Sequence, residues 1–320
     1  MTNIDNARIA VLIPCYNESV AVAQVVHGFQ KALPGARIYV FDNNSTDATR
    51  ANALAAGAIV RHVARPGKGN VVRRMFADVD ADLYLLVDGD ATYHAASAPN
   101  LVNKLVEDNL DMVVGTRVHE HVDAYRRGHQ FGNRLLTGSM THIFGGTFSD
   151  MLSGYRVFSR RFAKSFPAMS RGFEIETELT IHALELRMPY GELATPYGAR
   201  PEGSTSKLST YSDGMRILST IIKLFAIERP LQFYGVVASV LAAVALVLGI
   251  PLLLTYMESG LVPRFPTAIL STGLVMLSAI SFVAGVILET VTIGRREVKQ
   301  LHYLAIGSPS FVADQELPRS

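Results

Sequence analysis

From residue 1 to about 212, short apolar runs alternate with stretches of helical periodicity, and beyond them come two apolar segments that are far longer. The runs at 8–13, 37–41, 58–63, 83–87 and 111–115 have the length and aliphatic content of buried strands. Between them, 18–33, 46–56, 69–78 and 99–109 carry helical patterns, with Asn17 placed to cap the first and Ser45 the second. Strands separated by helices predict an α/β fold with a doubly wound, mostly parallel sheet of Rossmann-like type. After Gly128 the alternation is less regular, although 173–186 reads as one more helix.

Segments 231–257 and 265–288 contain no charged residue, and each exceeds the roughly 20 residues that cross a bilayer core. A hairpin of two transmembrane helices is expected; the alternative is a buried pair of soluble helices. Glu258 and Arg264 are the only charges in the connection, while Lys223, Arg229, Arg295, Arg296 and Lys299 flank the pair outside it. That bias places the N-terminal domain and the C-terminus in the cytoplasm. Just before the hairpin, 213–229 sets Ile217, Leu218, Ile221, Ile222, Leu224 and Phe225 at near-helical spacing, with Asp213 as a candidate cap and Pro230 beyond the end. Such an amphipathic helix either lies in the membrane interface or packs on its own domain. The organisation expected is an α/β domain at 1–212, a juxtamembrane helix at 213–230, the hairpin at 231–288 and a cytoplasmic tail at 289–320.

Composition narrows the classes. The 320 residues carry a formal net charge of +2, without the basic block or aromatic-basic stripe of a nucleic-acid binder. Cys15 is the single cysteine, so no intrachain disulfide can form, which suits a reducing cytoplasm. Residues 1–6 are polar and lead directly into a strand pattern, so no signal peptide is expected.

The chemistry gathers at strand ends. Asp88-Gly89-Asp90 follows the run Leu83-Tyr84-Leu85-Leu86-Val87, so two carboxylates stand at the carboxyl edge of the sheet, where open α/β sheets bind ligands. Such a pair suits Mg²⁺ or Mn²⁺, hard ions that share oxygen ligands with substrate phosphates. Pro14-Cys15-Tyr16-Asn17-Glu18 and Asp42-Asn43-Asn44-Ser45-Thr46-Asp47 end the first two strands and converge on the same edge. Arg65-Pro66-Gly67-Lys68-Gly69-Asn70 is either a basic phosphate-touching loop or an ordinary turn. Neither G-x-G-x-x-G after the first strand nor G-x-x-x-x-G-K-[ST] occurs, which argues against a dinucleotide enzyme or a P-loop ATPase. His94, His119, His121, His129 and His142 make no metal cluster by spacing.

Taken in order, P-x-Y-N-E at 14–18, D-N-x-S-x-D at 42–47, G-K-G at 67–69, D-G-D at 88–90 and D-x-x-S-G-Y-R at 150–156 resemble the family 2 glycosyltransferases of the GT-A fold. The branch most similar is the polyprenyl-phosphate glycosyltransferases, relatives of dolichyl-phosphate mannose synthase with a C-terminal membrane hairpin. The resemblance implies that Tyr16 faces a nucleotide base, that Asp42 accepts a hydrogen bond from it, and that Glu18 lies near base or ribose. Pro14 and Asn44 belong to the same nucleotide-binding loops, and Lys68 helps hold the nucleotide. Asp90 is implied as the main metal ligand, with Asp88 contacting ribose or metal through water.

On the acceptor side, the resemblance points to Arg117, Arg127 and Arg134, whose guanidinium forks suit phosphate oxygens. The segment Arg200 to Lys207 resembles the R-x-x-G-x-S-x-K segment of the family, which puts Arg200, Ser206 and Lys207 within reach of a phosphate at the membrane surface or of the nucleotide. Asp150 is implied beside the attacking oxygen, either as general base or as an orienting group, with Glu174 and Glu176 as rivals. A phosphate monoester, with its second pKa about 6, needs little general-base help. The reaction implied is an inverting transfer from a nucleotide sugar, UDP-linked rather than GDP-linked, to a polyprenyl phosphate such as undecaprenyl phosphate. Relatives form homo-oligomers, tetramers among them. The alternatives are a GDP-mannose-type mannosyltransferase and a non-catalytic scaffold that kept the fold; a soluble nucleotidyltransferase leaves the hairpin unexplained. A processive polysaccharide synthase lacks its Q-x-x-R-W motif here, because the chain has no tryptophan.

Overall fold

The computed structural model describes residues 7–119, 148–172, 174–201, 203, 219 and 222–307. Strands β1 (Ile9–Cys15), β2 (Arg37–Asp42), β3 (Ile59–His62) and β4 (Leu83–Leu86) pair in parallel, linked by helices α1 (Val22–Ala32), α2 (Thr49–Ala55) and α3 (Lys68–Asp78). Helix α4 (Ala98–Glu107) leads to β5 (Met112–His119), which pairs in parallel with β7 (Tyr190–Tyr197). Between β4 and β5 runs β6 (Arg156–Ser159), antiparallel to both, followed by α5 (Arg160–Ser165) and α6 (Ile175–Glu185). The seven-stranded sheet has the order β3-β2-β1-β4-β6-β5-β7. The expected mixed α/β, mostly parallel architecture is therefore present.

Central strands β1 and β4 are covered on both faces, which is why their sequences are continuous apolar runs rather than alternating ones. Val11, Ile13, Leu83 and Leu85 join Val22, Val26 and Phe29 of α1 and Leu101, Val102 and Leu105 of α4 in the main core. Several element ends move from their sequence-based positions. Strand β5 runs on to His119 because β7 continues to pair with it. Helix α1 begins at Val22 rather than at residue 18: Asn17 adopts a left-handed backbone (φ +53°), and residues 18–21 form a turn in which the Glu18 carbonyl accepts from Ala21 N (3.1 Å) and Val22 N (2.9 Å).

The chain divides into two compact units, the first Met1–Met215 with Lys299–Ser320, the second Arg216–Val298. The second unit contains α7 (Pro230–Ser259) and α8 (Phe265–Leu304) as far as Val298, and both helices are long and apolar enough to cross a membrane. Helix α8 continues well past residue 288. Ser278 Oγ donates to the carbonyl of Ala238 (2.8 Å) and Ser271 Oγ to that of Ala245 (3.0 Å), tying the two helices together. Of the expected helix at 213–229, residues 222–228 are helical, and 213–218, 220 and 221 lie outside the described residues.

Candidate active site

The carboxyl ends of β1, β2 and β4 set down three loops side by side, and hydrogen bonds lock them together. Asn17 N donates to Ser45 Oγ (2.9 Å), and Asn17 Oδ1 accepts from Thr46 N (2.8 Å). The expected capping roles of Asn17 and Ser45 are thus corrected: α1 and α2 start without a side-chain cap, and both residues bridge between loops. Tyr16 is about half exposed (48 %) beside buried Glu18, whose amide donates to Thr49 Oγ1 (2.8 Å). Pro14 lies in β1 opposite Phe41. Asp42 is buried at the end of β2; its Oδ1 accepts from Ser45 N (3.2 Å), and Oδ2 lies 3.5 Å from His62 Nδ1.

Asn43 organises the basic turn. Its Nδ2 donates to the carbonyls of Val63 and Arg65 (2.8 Å each), and its Oδ1 accepts from Gly67 N (2.7 Å). Asn44, with a left-handed backbone (φ +64°), donates to the carbonyl of Ala64 (2.9 Å). Gly67 has φ +115°, and a Cβ there would overlap the carbonyl oxygen of Arg171, so only glycine fits. Lys68 then opens α3. Its buried ammonium lies 2.5 Å from Asp88 Oδ1 and also pairs with Glu176 Oε1. Burial alone would lower the Lys68 pKa, but the two carboxylates override it and hold the group well above the usual lysine value. Glu176, itself buried, is pushed up by desolvation, and Lys68 offsets part of that rise.

Asp88 and Asp90 leave β4 in a turn where Ala91 takes φ +59°. Asp90 Oδ1 accepts from Thr92 N (3.2 Å) and Thr92 Oγ1 (2.6 Å), while Oδ2 pairs with Arg200 Nη2 at 2.7 Å. Asp88 lies against the backbone of Gly154, where a Cβ would come within 2.5 Å of Oδ2. Gly154 N in turn donates to Tyr93 OH (2.9 Å). The S-G-Y-R motif therefore abuts the acidic pair, with glycine making room for the carboxylate.

Across β5, Arg117 donates from Nε to Asp150 Oδ2 and from Nη2 to Asp150 Oδ1, both at 2.7 Å. Burial would raise the Asp150 pKa, but the guanidinium overrides this and holds it below the ordinary carboxylate value. Arg117 also sits over the Tyr197 ring (5.7 Å), which packs edge-on against Tyr93 (5.0 Å between centroids). Beneath the 150–154 turn, fully buried Arg156 donates to the carbonyls of Ser153 (2.9 Å) and Met151 (2.5 Å) and to Thr180 Oγ1 (2.8 Å). Desolvation draws its pKa down to about 10.

Structure thus brings together Lys68, Asp88, Asp90 and Arg200 in one cluster, and Arg117 with Asp150 in another, joined through Tyr93 and Tyr197. Glu176 enters as the partner of Lys68, whereas Glu174 lies at the start of α6. Arg127, Arg134, Ser206 and Lys207 lie outside the described residues. Asn43, Thr92, Tyr93 and Tyr197 were not anticipated from the sequence as site residues. Asn43 carried a local signal as the asparagine of the D-N-x-S-x-D motif, and Thr92 as a hydroxyl two residues after an aspartate in a turn.

Among the described residues, no three His, Cys, Asp or Glu side chains are grouped to hold a metal ion. Two carboxylates at a strand end nonetheless fit a divalent ion that completes its shell with phosphate oxygens and water. Two cationic side chains, Lys68 and Arg200, already contact that pair.

An open α/β sheet with a carboxylate pair at the end of β4 and an antiparallel strand beside it has the architecture of the GT-A fold. Residues 10–166 match the family model for glycosyl transferase family 2. Glycosyltransferase AglJ of Haloferax volcanii is 34% identical over 250 residues, 78% of this chain and 81% of that protein. The dolichyl-phosphate hexose transferase of the same organism is 25% identical over 229 residues, 72% of this chain and 99% of that one. In fold, the chain is similar to glucosyl-3-phosphoglycerate synthase from Mycobacterium tuberculosis, solved with Mn²⁺, UDP-glucose and phosphoglyceric acid. That likeness has a TM-score of 0.58 at 22% identity and covers 70% of this chain and 81% of that chain. The chain belongs to glycosyltransferase family 2.

Proposed function

We propose that this glycosyltransferase moves a hexosyl group from a UDP-linked sugar to a polyprenyl phosphate, with inversion at C1, at the cytoplasmic face of a membrane. The observation that carries the acceptor is the continuation of the catalytic chain into two helices long and apolar enough to cross a membrane. An acceptor whose phosphate lies at the bilayer surface gives such an anchor a purpose. The dolichyl-phosphate hexose transferase relative supports the same reading. Lysines and arginines outside the helix pair support the cytoplasmic orientation.

The electrostatics of Asp150 favour an acceptor that arrives ionised. With its pKa lowered by Arg117, Asp150 is a weak proton acceptor. A sugar hydroxyl would need a stronger base, whereas a phosphate monoester, with its second pKa about 6, brings its own oxyanion. Asp150 then orients Arg117, and Arg117 holds the acceptor phosphate. On the donor side, Asp42, Glu18 and half-exposed Tyr16 take the uridine, and the positive N-terminus of α3 with Lys68 faces the diphosphate. Asp90 and Asp88 would hold Mg²⁺ or Mn²⁺, which would supply Lewis-acid neutralisation of charge on the diphosphate. The acceptor oxygen forms its bond to C1 as the bond from C1 to the diphosphate oxygen breaks, and the nucleoside diphosphate leaves.

The test is a purified, full-length preparation in detergent with Mn²⁺, a polyprenyl phosphate and a panel of UDP- and GDP-sugars. Release of nucleoside diphosphate that requires both lipid and one UDP-sugar, and is lost in Asp90→Ala, is expected. Turnover only with GDP-mannose would replace the donor assignment. Metal-dependent nucleotide binding without turnover on any lipid would overturn the acceptor.

A further inference from the structure

We propose that Glu192 is a positioning residue of the acceptor site: its carboxylate fixes the backbone at Ser149 and Asp150, and so the place from which Asp150 meets Arg117. The inference rests on the acceptor role proposed above for Arg117 and Asp150, and it names what holds that pair in register.

Glu192 stands on β7, an edge strand of the sheet. Alternate residues of a strand share a face. Leu193 turns toward the main core and packs against it, so Tyr190 and Glu192 turn to the other side. That second face receives residues 148–150. The Phe148 ring stacks on Tyr190, with 4.0 Å between centroids and 16° between planes. One residue on, Ser149 N donates to Glu192 Oε1 (2.8 Å) and Oε2 (3.1 Å), and Ser149 Oγ donates to Oε2 (2.7 Å). Asp150 N follows, 3.4 Å from Oε1. A glutamate on an edge strand ordinarily extends into water. This one takes two successive main-chain amides and a hydroxyl.

Opposite charges grip the two ends of this turn. Its first amides meet the Glu192 carboxylate, and its later carbonyls, those of Met151 and Ser153, accept from the buried Arg156 guanidinium. Arg156 in turn feels the negative charge of both Glu192 and Asp150. Between these grips the Asp150 side chain meets Arg117, whose amide (3.2 Å) and Nε (2.7 Å) donate to Oδ2 and whose Nη2 donates to Oδ1. Two parallel bonds to a planar fork are directional, so a displaced turn loses alignment at both. Ser149 is exposed, and water can take over its amide once the Glu192 carboxylate is altered. The loss then falls on the placement of Asp150 rather than on the stability of the fold.

The experiment uses the full chain in detergent with Mn²⁺ and the UDP-sugar that turns over, and reads initial rates against undecaprenyl phosphate concentration. Calorimetry on the same preparations reads Mn²⁺-dependent binding of UDP. Glu192→Gln, nearly unchanged in shape, is expected to lose about tenfold in kcat/KM for the lipid and to bind UDP as the parent does. In an Asp150→Ala background the same change is expected to cost less than about twofold, because no carboxylate is left to place. Ser149→Ala, which strips only the hydroxyl contact, is expected to show a smaller loss of the same kind. An equal loss in both backgrounds, or a matching loss of UDP affinity, would make Glu192 a purely structural contact and overturn the inference. Parent-like kinetics in Glu192→Gln would overturn it too, and in each of these cases the acceptor assignment stands. If Asp150→Ala turns over the lipid as the parent does, the acceptor assignment itself falls and takes this inference with it.

Discussion

Arg117 and Asp150 meet through two parallel hydrogen bonds of 2.7 Å, so neither group can be moved without the other. Asp150→Asn removes the charge and one acceptor but leaves the shape. Arg117→Lys keeps the charge but loses the fork. Each single change is expected to lower kcat/KM for the lipid acceptor by roughly 10²-fold. Because the pair acts as a unit, the double variant is expected to cost about as much as either single one. Steady-state kinetics over acceptor concentration check this, and additive losses would separate the two roles.

Lys68 bridges Asp88 and Glu176, and removing it leaves two neighbouring carboxylates, that of Glu176 buried, without their shared cation. Lys68→Met is expected to destabilise the first unit by about 3–5 kcal/mol. Adding Glu176→Gln to that background should recover part of the loss, since one of the stranded charges disappears. Urea unfolding of the three proteins measures it; no recovery in the double variant would mean that Glu176 is already neutral.

Asn43 spends its whole amide on the basic turn. Asn43→Asp sets a carboxylate against the carbonyls of Val63 and Arg65 and discards two donors. A stability loss of about 1–3 kcal/mol is expected, together with a raised KM for the nucleotide sugar, because Gly67 and Lys68 lose their support. A KM unchanged beside a clear stability loss would detach the turn from donor binding.

His182 gives the molecule an acid limit. It is buried on α6 between Phe162 and Phe166, and desolvation lowers its pKa to about 3. In the unfolded chain the imidazole takes a proton near its ordinary value of about 6.5. Between those two pH values the unfolded state binds more protons, so stability falls as pH drops through 6.5. The slope approaches about 1.4 kcal/mol per pH unit below that point. Unfolding free energies measured from pH 7 to pH 5 should show this fall, and His182→Gln should flatten it.

The fold was legible because its signals are local: apolar runs for buried strands, helical periodicity between them, and D-G-D at a strand end. Asn17 and Ser45 were misassigned for the opposite reason. Capping is judged from the next few residues, yet their partners lie 28 and 29 positions away, on the neighbouring loop. Lys68 was legible only as part of a basic glycine-rich loop, because its grip by Asp88 and Glu176 depends on α6 folding back, which no short-range pattern encodes. The same holds for Arg200 on Asp90. Antiparallel β6 was hidden because the S-G-Y-R motif runs straight into it, so the same residues carry a chemical signature and a core strand.

The two serine bonds of the helix pair carry a mechanical consequence. Ser271 and Ser278 are seven residues apart on α8, and their acceptors Ala245 and Ala238 are seven apart on α7 in the reverse direction. Gly285, seven further on, packs against Leu231 and Tyr234, continuing the same antiparallel alignment. A seven-residue repeat keeps one seam of each helix turned toward the other along a shallow left-handed coil. Sliding one helix past the other by a single turn would break both serine bonds at once and drive side chains into the glycine contact. Set in a bilayer, a pair aligned in this way is expected to lean as one stiff rod, taking up a change of thickness by tilt rather than by telescoping.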